Sequence, residues 1–167
     1  NGSVIVDGNI ATYTPNADYN GDDSFTFTVS DGEFDDTTTV GLTIDSVNDA
    51  PVLGFVENYI LEEDGSGSIV LNATDVDNDD LSYSISQGSG ISASIVGNIL
   101  TFESENFNGS EDFVVTVSDG FLSDTQTFSV IVYGINDAPV ATVGLSGTTN
   151  EDQSVVVVLS ATDEDGD

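Results

Sequence analysis

The 167-residue sequence predicts an all-β protein made of tandem Greek-key β-sandwich domains, each with about seven strands. Three observations point there. Apolar residues alternate with polar ones at period two, and no window shows a convincing helical period. Turn signals such as SDG, FNG, EDG and VGN fall between the alternating runs. The chain also repeats itself at a fixed spacing.

The repeat rests on three anchors. VNDAP (47–51) and INDAP (135–139) place Pro51 and Pro139 88 residues apart. The same offset carries YNGDDSFTFTVSDG (19–32) onto FNGSEDFVVTVSDG (107–120). It also carries EEDGSGSIVLNATDVDND (62–79) onto NEDQSVVVVLSATDEDGD (150–167). The expected organisation is the back part of one repeat over 1–49, a complete repeat over 50–137, and the front part of the next over 138–167. Joined end to start, the two partial copies would still lack the counterpart of DLSYSISQGS (80–89). The sequence therefore reads as a window on a longer array.

In order along the chain, 24–30 sets Phe25, Phe27 and Val29 on one strand face, and 39–44 does the same with Val40, Leu42 and Ile44. In the complete repeat, strands are expected near 52–61, 67–73, 81–86, 91–96, 98–103, 112–118 and 124–133. The sixth aligns Phe113, Val115 and Val117; the seventh aligns Phe128, Val130 and Val132. Pro51 and Pro139 lack an N–H and hold the preceding residue extended, which suits short, straight linkers.

Composition narrows the function. Apolar residues make up 38%, including nine Phe and five Tyr, enough for a core. The formal charge is −31, with no Lys, Arg or His. Nucleic-acid binding is excluded in practice, because phosphate contacts need basic side chains, and docking on an anionic membrane is disfavoured likewise. No apolar run is long enough to insert in a bilayer. Without Cys there is no disulfide and no thiolate metal site. Apart from the chain N-terminus, only solvent cations or bound metal can balance the carboxylates. The bland alternative is an acidic surface kept soluble by self-repulsion.

The placement of the acids argues for metal. ATDVDNDD (73–80) packs Asp75, Asp77, Asp79 and Asp80 into one loop, and its alternation aims every second carboxylate the same way. Laying the strands up and down sends the acids to two junctions. The first gathers Asn20, Asp22 and Asp23, then Asp45, Asn48 and Asp49 of the linker, then Asp75, Asp77 and Asp119. The second gathers Glu63, Asp64, Asn108, Glu111 and Asp112, then Asn136 and Asp137, then Asp163 and Asp165. Carboxylates and amide carbonyls in this supply suit Ca²⁺, which takes six to eight oxygens. Mg²⁺ prefers more water, and softer metals have no ligands here. Each Asp alone is also an ordinary turn residue. An EF-hand fails: counted from Asp75, its Gly and Glu positions hold Asp80 and Ser86.

VLNATDVDNDDLSYSI (70–85) resembles the cadherin pattern of an Ala-x-Asp-x-Asp loop followed by a strand with an aromatic, and VTVSDGFLSDTQTFSVIVYGINDAP (115–139) resembles the cadherin final hairpin and linker. The closer resemblance is to bacterial cadherin-like tandem repeats of large surface adhesins, with Ig-like sandwiches and VNDAP linkers. It covers the whole chain. It implies calcium between successive domains, held by Asn48, Asp49, Asp75, Asp77 and Asp119. Two departures stand out: Tyr133 replaces Asp45 in the second linker, and NGSED (108–112) replaces the Asp-Arg-Glu motif.

The expected function is a calcium-stiffened stalk repeat of an extracellular adhesin or surface filament. Its partners would be neighbouring repeats of the same chain and other copies in a filament. The alternative is an adhesion module binding polysaccharide or a partner, for which Tyr13, Tyr59, Tyr83 and Tyr133 are candidate aromatics. An enzyme is not expected, since the carboxylates recur in each repeat where a catalytic site would occur once, and no His, Cys, Lys or Arg supports them. The NxS/T patterns at Asn1, Asn72 and Asn108 are read as chance.

Overall fold

The computed structural model describes residues 1–163 and 165. Among these there are fifteen strands and no helix. The chain forms two compact units, Asn1–Ala50 with Asp75–Asp79, and Pro51–Thr74 with Asp80–Asp167.

The first unit contains two hairpins. Strands β1 (Gly2–Asp7) and β2 (Ile10–Pro15) pair antiparallel, from Gly2 opposite Pro15 to Asp7 opposite Ile10. The turn between them uses Gly8 at φ 62°, a conformation that suits Gly because it has no Cβ. Strands β3 (Gly21–Ser30) and β4 (Asp35–Ile44) pair over ten residues, from Gly21 opposite Ile44 to Ser30 opposite Asp35. The expected apolar faces are present: Val40, Leu42 and Ile44 are half-buried. Phe27 and Val29, however, stay 47% and 56% exposed.

In the second unit the strands are β5 (Val52–Leu53), β6 (Tyr59–Glu62), β7 (Ser66–Val70), β8 (Ala73–Thr74), β9 (Ser82–Ile85), β10 (Ile91–Val96), β11 (Ile99–Ser104), β12 (Gly109–Ser118) and β13 (Ser123–Tyr133). Two further short strands are β14 (Val140–Ala141) and β15 (Ala161–Thr162). One sheet has the order β10-β11-β7 and the other β6-β13-β12-β9. Alternation turns Leu100 and Phe102 of the first sheet toward Phe113, Val115, Val117, Phe128 and Val130 of the second, and all are 3% exposed or less. Phe102, Phe113 and Phe128 form a triangle of rings with centroids 5.7 to 6.2 Å apart, inside the favourable range for aromatic pairs.

Two expected strands are split. The run 52–61 breaks into β5 and β6, because the chain changes partner, from β8 to a parallel pairing with β13. Side chains carry the crossing: Leu53 N–H donates to Asp124, Val56 N–H to Gln126, and Ser129 N–H to Asn58. The run 67–73 breaks at Leu71, whose N–H and C=O are both taken by Asn98. Periodicity cannot reveal a change of partner, since alternation continues through it.

Residues 140–162 repeat the pairing of β5 with β8. Val140 pairs with Thr162 as Val52 pairs with Thr74, each 88 residues on. Thr142 N–H donates to Ser160 C=O at 2.8 Å, matching Gly54 N–H to Asn72 C=O at 2.7 Å.

Candidate metal site

The loop after β8 folds back on itself. Asp77 N–H donates to Asp75 Oδ1 at 2.8 Å, and Asn78 N–H to Asp75 C=O at 3.4 Å. Asn78 takes φ 62°, which Asn tolerates better than most residues. These bonds explain the turn and account for Oδ1 of Asp75. They leave its Oδ2 buried with no hydrogen-bond partner. Carboxylate oxygens of Asp75, Asp77 and Asp79 all lie within 4.8 Å of one another. Unit charges at about 4 Å repel by about 1 kcal/mol in water and about 4 at the effective dielectric of a protein surface. No Lys, Arg or His exists in the chain to offset that repulsion. Asp79 was absent from the sequence-derived ligand set, although the alternation of the motif carried the signal for it.

The preceding linker docks on this loop. Asp49 N–H donates to Asp77 Oδ2 at 2.8 Å, and Asn48 Nδ2 donates to Asp49 C=O. The second linker makes the same contacts. Asp137 N–H donates to Asp165 Oδ2 at 2.6 Å, Asp165 N–H to Asp163 Oδ1 at 3.0 Å, and Asn136 Nδ2 to Asp137 C=O. Four expected residues of each linker and loop thus come together twice in one arrangement: Asn48, Asp49, Asp75 and Asp77, then Asn136, Asp137, Asp163 and Asp165.

Other expected ligands are spent elsewhere. Glu111 accepts from the amides of Ser89, Gly90 and Ile91 and from the Ser89 hydroxyl, closing the loop before β10. Partial burial pushes its carboxyl up, but these donors outweigh that and hold it below the usual range. Asp112 accepts from Ser129 Oγ across the strand pair. Neither is offered to a shared ligand cluster, because both lie inside the β12 ladder rather than in the loop before it. Glu63, 5% exposed, takes Ile135 N–H at 3.1 Å, and Asp64 takes Asn106 N–H at 3.0 Å. Asn108 lies beside Gly134 and Glu63 at the entrance to the second linker. Asp119 caps the β12–β13 hairpin, its Oδ1 accepting from Phe121 and Leu122 amides.

In the first unit, Asn20 precedes β3, and Asp45 follows β4, whose last residue pairs with Gly21. Asp22 accepts from Thr43 Oγ1 across the hairpin. Asp23 accepts from Tyr13 OH at 2.5 Å and sits 3.0 Å from the N-terminal ammonium. The Tyr13 bond, then the ammonium, pulls Asp23 down to about 2, and the same bond pushes Tyr13 up to about 12. Of the candidate aromatics, Tyr13, Tyr59 and Tyr83 are half-buried, and Tyr133 is 60% exposed.

Chitinase A of Pseudoalteromonas piscicida is 36% identical over 132 residues, covering 75% of this chain. The chain spans only 16% of that relative's length. Among solved structures, human protocadherin-24 EC1-2 matches with a TM-score of 0.44 and 22% identity, over 70% of this chain and 62% of that one. An endo-fucoidan hydrolase from glycoside hydrolase family 107 matches with a TM-score of 0.43 and 22% identity, over 81% of this chain and 23% of that one. The bacterial Ig domain model matches residues 1–45 and again 48–131. Two all-β matches in tandem cover most of the sequence, and the chain belongs to the bacterial Ig domain family.

Proposed function

We propose that the chain is a non-catalytic, calcium-stiffened stalk segment of a secreted or surface protein, with residues 50–137 as its complete repeat. The observation that carries this is the orphaned Oδ2 of Asp75, buried inside a cluster of three carboxylates. A buried, unpaired carboxylate oxygen is costly, and in a chain without Lys, Arg or His a hard cation is the partner that would also supply countercharge. Asp75, Asp77 and Asp79 would hold the ion. Bound Ca²⁺ supplies countercharge there, and the protein's part is to hold Asp49 N–H on Asp77 so that linker and loop move as one. The recurrence of this contact at Asp137 and Asp165 favours architecture over a single reactive centre. Extracellular calcium modules bind with Kd around 10⁻⁴ to 10⁻³ M, so the stalk would be rigid outside cells and slack inside.

The test is thermal unfolding and small-angle scattering of the chain in calcium, magnesium and chelator, with Asp75→Asn as control. Calcium alone should raise the melting temperature and lengthen the particle, and Asp75→Asn should abolish both effects. No response to calcium would leave the carboxylates as a solvated acidic surface.

A further inference from the structure

One side of the complete repeat carries no charge. Strands β9 and β10 lie next to each other, each at the edge of its own sheet. They fall within residues 81–102, which hold no carboxylate and no Pro, in a chain with 31 acidic residues. The opposite edges, β6 and β7, have exposed Glu57 and Glu62 in or beside β6. Charged side chains and Pro keep an edge strand from pairing with another chain, and β10 has neither.

The bonding groups of β10 are also turned outward. Val96 and Ile99 flank the two-residue turn at Gly97 and Asn98, so they close the β10–β11 hairpin as a hydrogen-bonded pair. Ser94 and Ser92 face β11 in the same way, and by alternation the N–H and C=O of Ala93 and Ile95 point away from it. The Ile91 N–H, in phase with them, reaches away from β11 to Glu111 of the other sheet. Among the described residues no strand pairs with the free side of β10. Ala93 and Ile95 thus offer a donor and an acceptor each on an open edge.

We propose that the β10 edge pairs antiparallel with β10 of a second copy of the chain, about a two-fold axis at Ser94. This register sets Ala93 opposite Ile95 of the partner subunit, and Ile95 opposite Ala93 of the partner subunit. It uses the free groups of both residues and leaves the Ile91 N–H on Glu111. Val96, 80% exposed, then packs beside Ser92 of the partner subunit.

The absence of charge selects the partner. A basic partner would be drawn to the carboxylates elsewhere on the chain and would gain nothing from a side without them. A side without carboxylates suits a partner as acidic as the chain itself, and a second copy carries the same −31. The acid on the outer face of this sheet is Glu103, one strand in from the edge and opposite Ser92. Across the pair the two β11 strands lie three strand spacings apart, about 14 Å, beyond a Debye length of about 8 Å at physiological salt. The pairing needs no calcium, so it stands or falls apart from the metal site.

The experiment is sedimentation velocity of the 167-residue chain in chelator at physiological salt, over a range of concentrations. The mass should rise to about twice that of the monomer and stop there, because a two-fold contact closes on itself. Ala93→Pro removes an outward N–H where an edge strand tolerates Pro. Ser94→Asp sets two like charges face to face at the axis. Both variants should be monomeric, with circular dichroism like that of the wild type, and mixing Ser94→Asp with Ser94→Lys should restore the dimer. Should Ala93→Pro disturb the fold, the Ser94 variants decide. The chain has no Cys, so a single Ser94→Cys reports the axis directly. Its Cα would lie about 4.5 Å from its mate, within disulfide range, and mild oxidation should link the pair. Ser68→Cys, on the same face but on β7, should stay unlinked. A wild type that stays monomeric overturns the proposal and leaves this edge to a strand of another protein. Assembly that survives Ser94→Asp, or Ser94→Cys that links no faster than Ser68→Cys, overturns it too.

Discussion

The β3–β4 and β12–β13 hairpins are the same object in two settings. Both pair over ten residues in the same register: Gly21 faces Ile44, and Gly109 faces Val132, 88 residues on. Both end in an Asp that accepts two amides of its turn, Asp31 from Glu33 and Phe34, Asp119 from Phe121 and Leu122. Yet Phe113, Val115 and Val117 are fully buried, while Phe27 and Val29 lie about half exposed. Hairpin register and turn capping are thus local properties, written within some twenty-four residues. Burial is not: it depends on strands some forty to sixty residues earlier in the chain.

The largest effect expected from this contrast is in the cores. Phe113→Ala should cost about 3–5 kcal/mol, because it opens a cavity in the ring triangle. Phe25→Ala, at the same place in the open hairpin, should cost under about 1 kcal/mol. Two units need not unfold together, so the measurement is native-state hydrogen exchange, which reports each unit's amides separately. Equal losses at both sites would mean that the first hairpin owes its stability to packing after all.

That difference also marks where sequence reasoning reached and stopped. Alternation placed Phe113, Val115 and Val117 on an inner face, and the repeat identified the linker and Asp-x-Asp loop that the structure joins through Asp49 and Asp77. It could not show the partner change at Gly54–Asn58, because Asp124, Gln126 and Asn58 make that crossing from positions far apart in the chain. Nor could it separate Glu111 from the carboxylates that gather at Asp75, Asp77 and Asp79. An acid next to a turn has the same appearance in sequence whether it faces a cation or three backbone amides.

Glu111 sharpens the comparison at its second level. Its partner amides include Ser89 at 3.1 Å; 88 residues earlier, beside Asp23, the amino group of Asn1 stands in that place. Glu111→Gln keeps the shape but loses the charge-assisted bonds. It should cost about 1 kcal/mol, less than a buried charged hydrogen bond because solvent reaches the carboxylate. The folded carboxyl titrates below its unfolded value. Its contribution is therefore fully present above the ordinary Glu range and is lost as pH falls through the folded value. Urea unfolding of wild type and variant at neutral pH and near pH 3 should show the gap shrinking in acid.

The smallest effect lies in the open unit, where Tyr13 and Asp23 hold the two hairpins together. The bond requires the neutral phenol and the charged carboxylate. Its two pKa shifts run in opposite directions, Tyr13 up to about 12 and Asp23 down to about 2. Stabilisation through Tyr13 is present below the unfolded phenol value near 10 and fades as pH rises through 12. Stabilisation through Asp23 is present above about 4 and fades as pH falls toward 2. The difference between the tyrosinate absorbance titrations of wild type and Tyr13→Phe isolates this one side chain. A midpoint near 12 shows that the hairpins stay tied even with their apolar face uncovered. A midpoint near 10 shows the opposite: without covering strands the two hairpins separate, and each keeps its register alone.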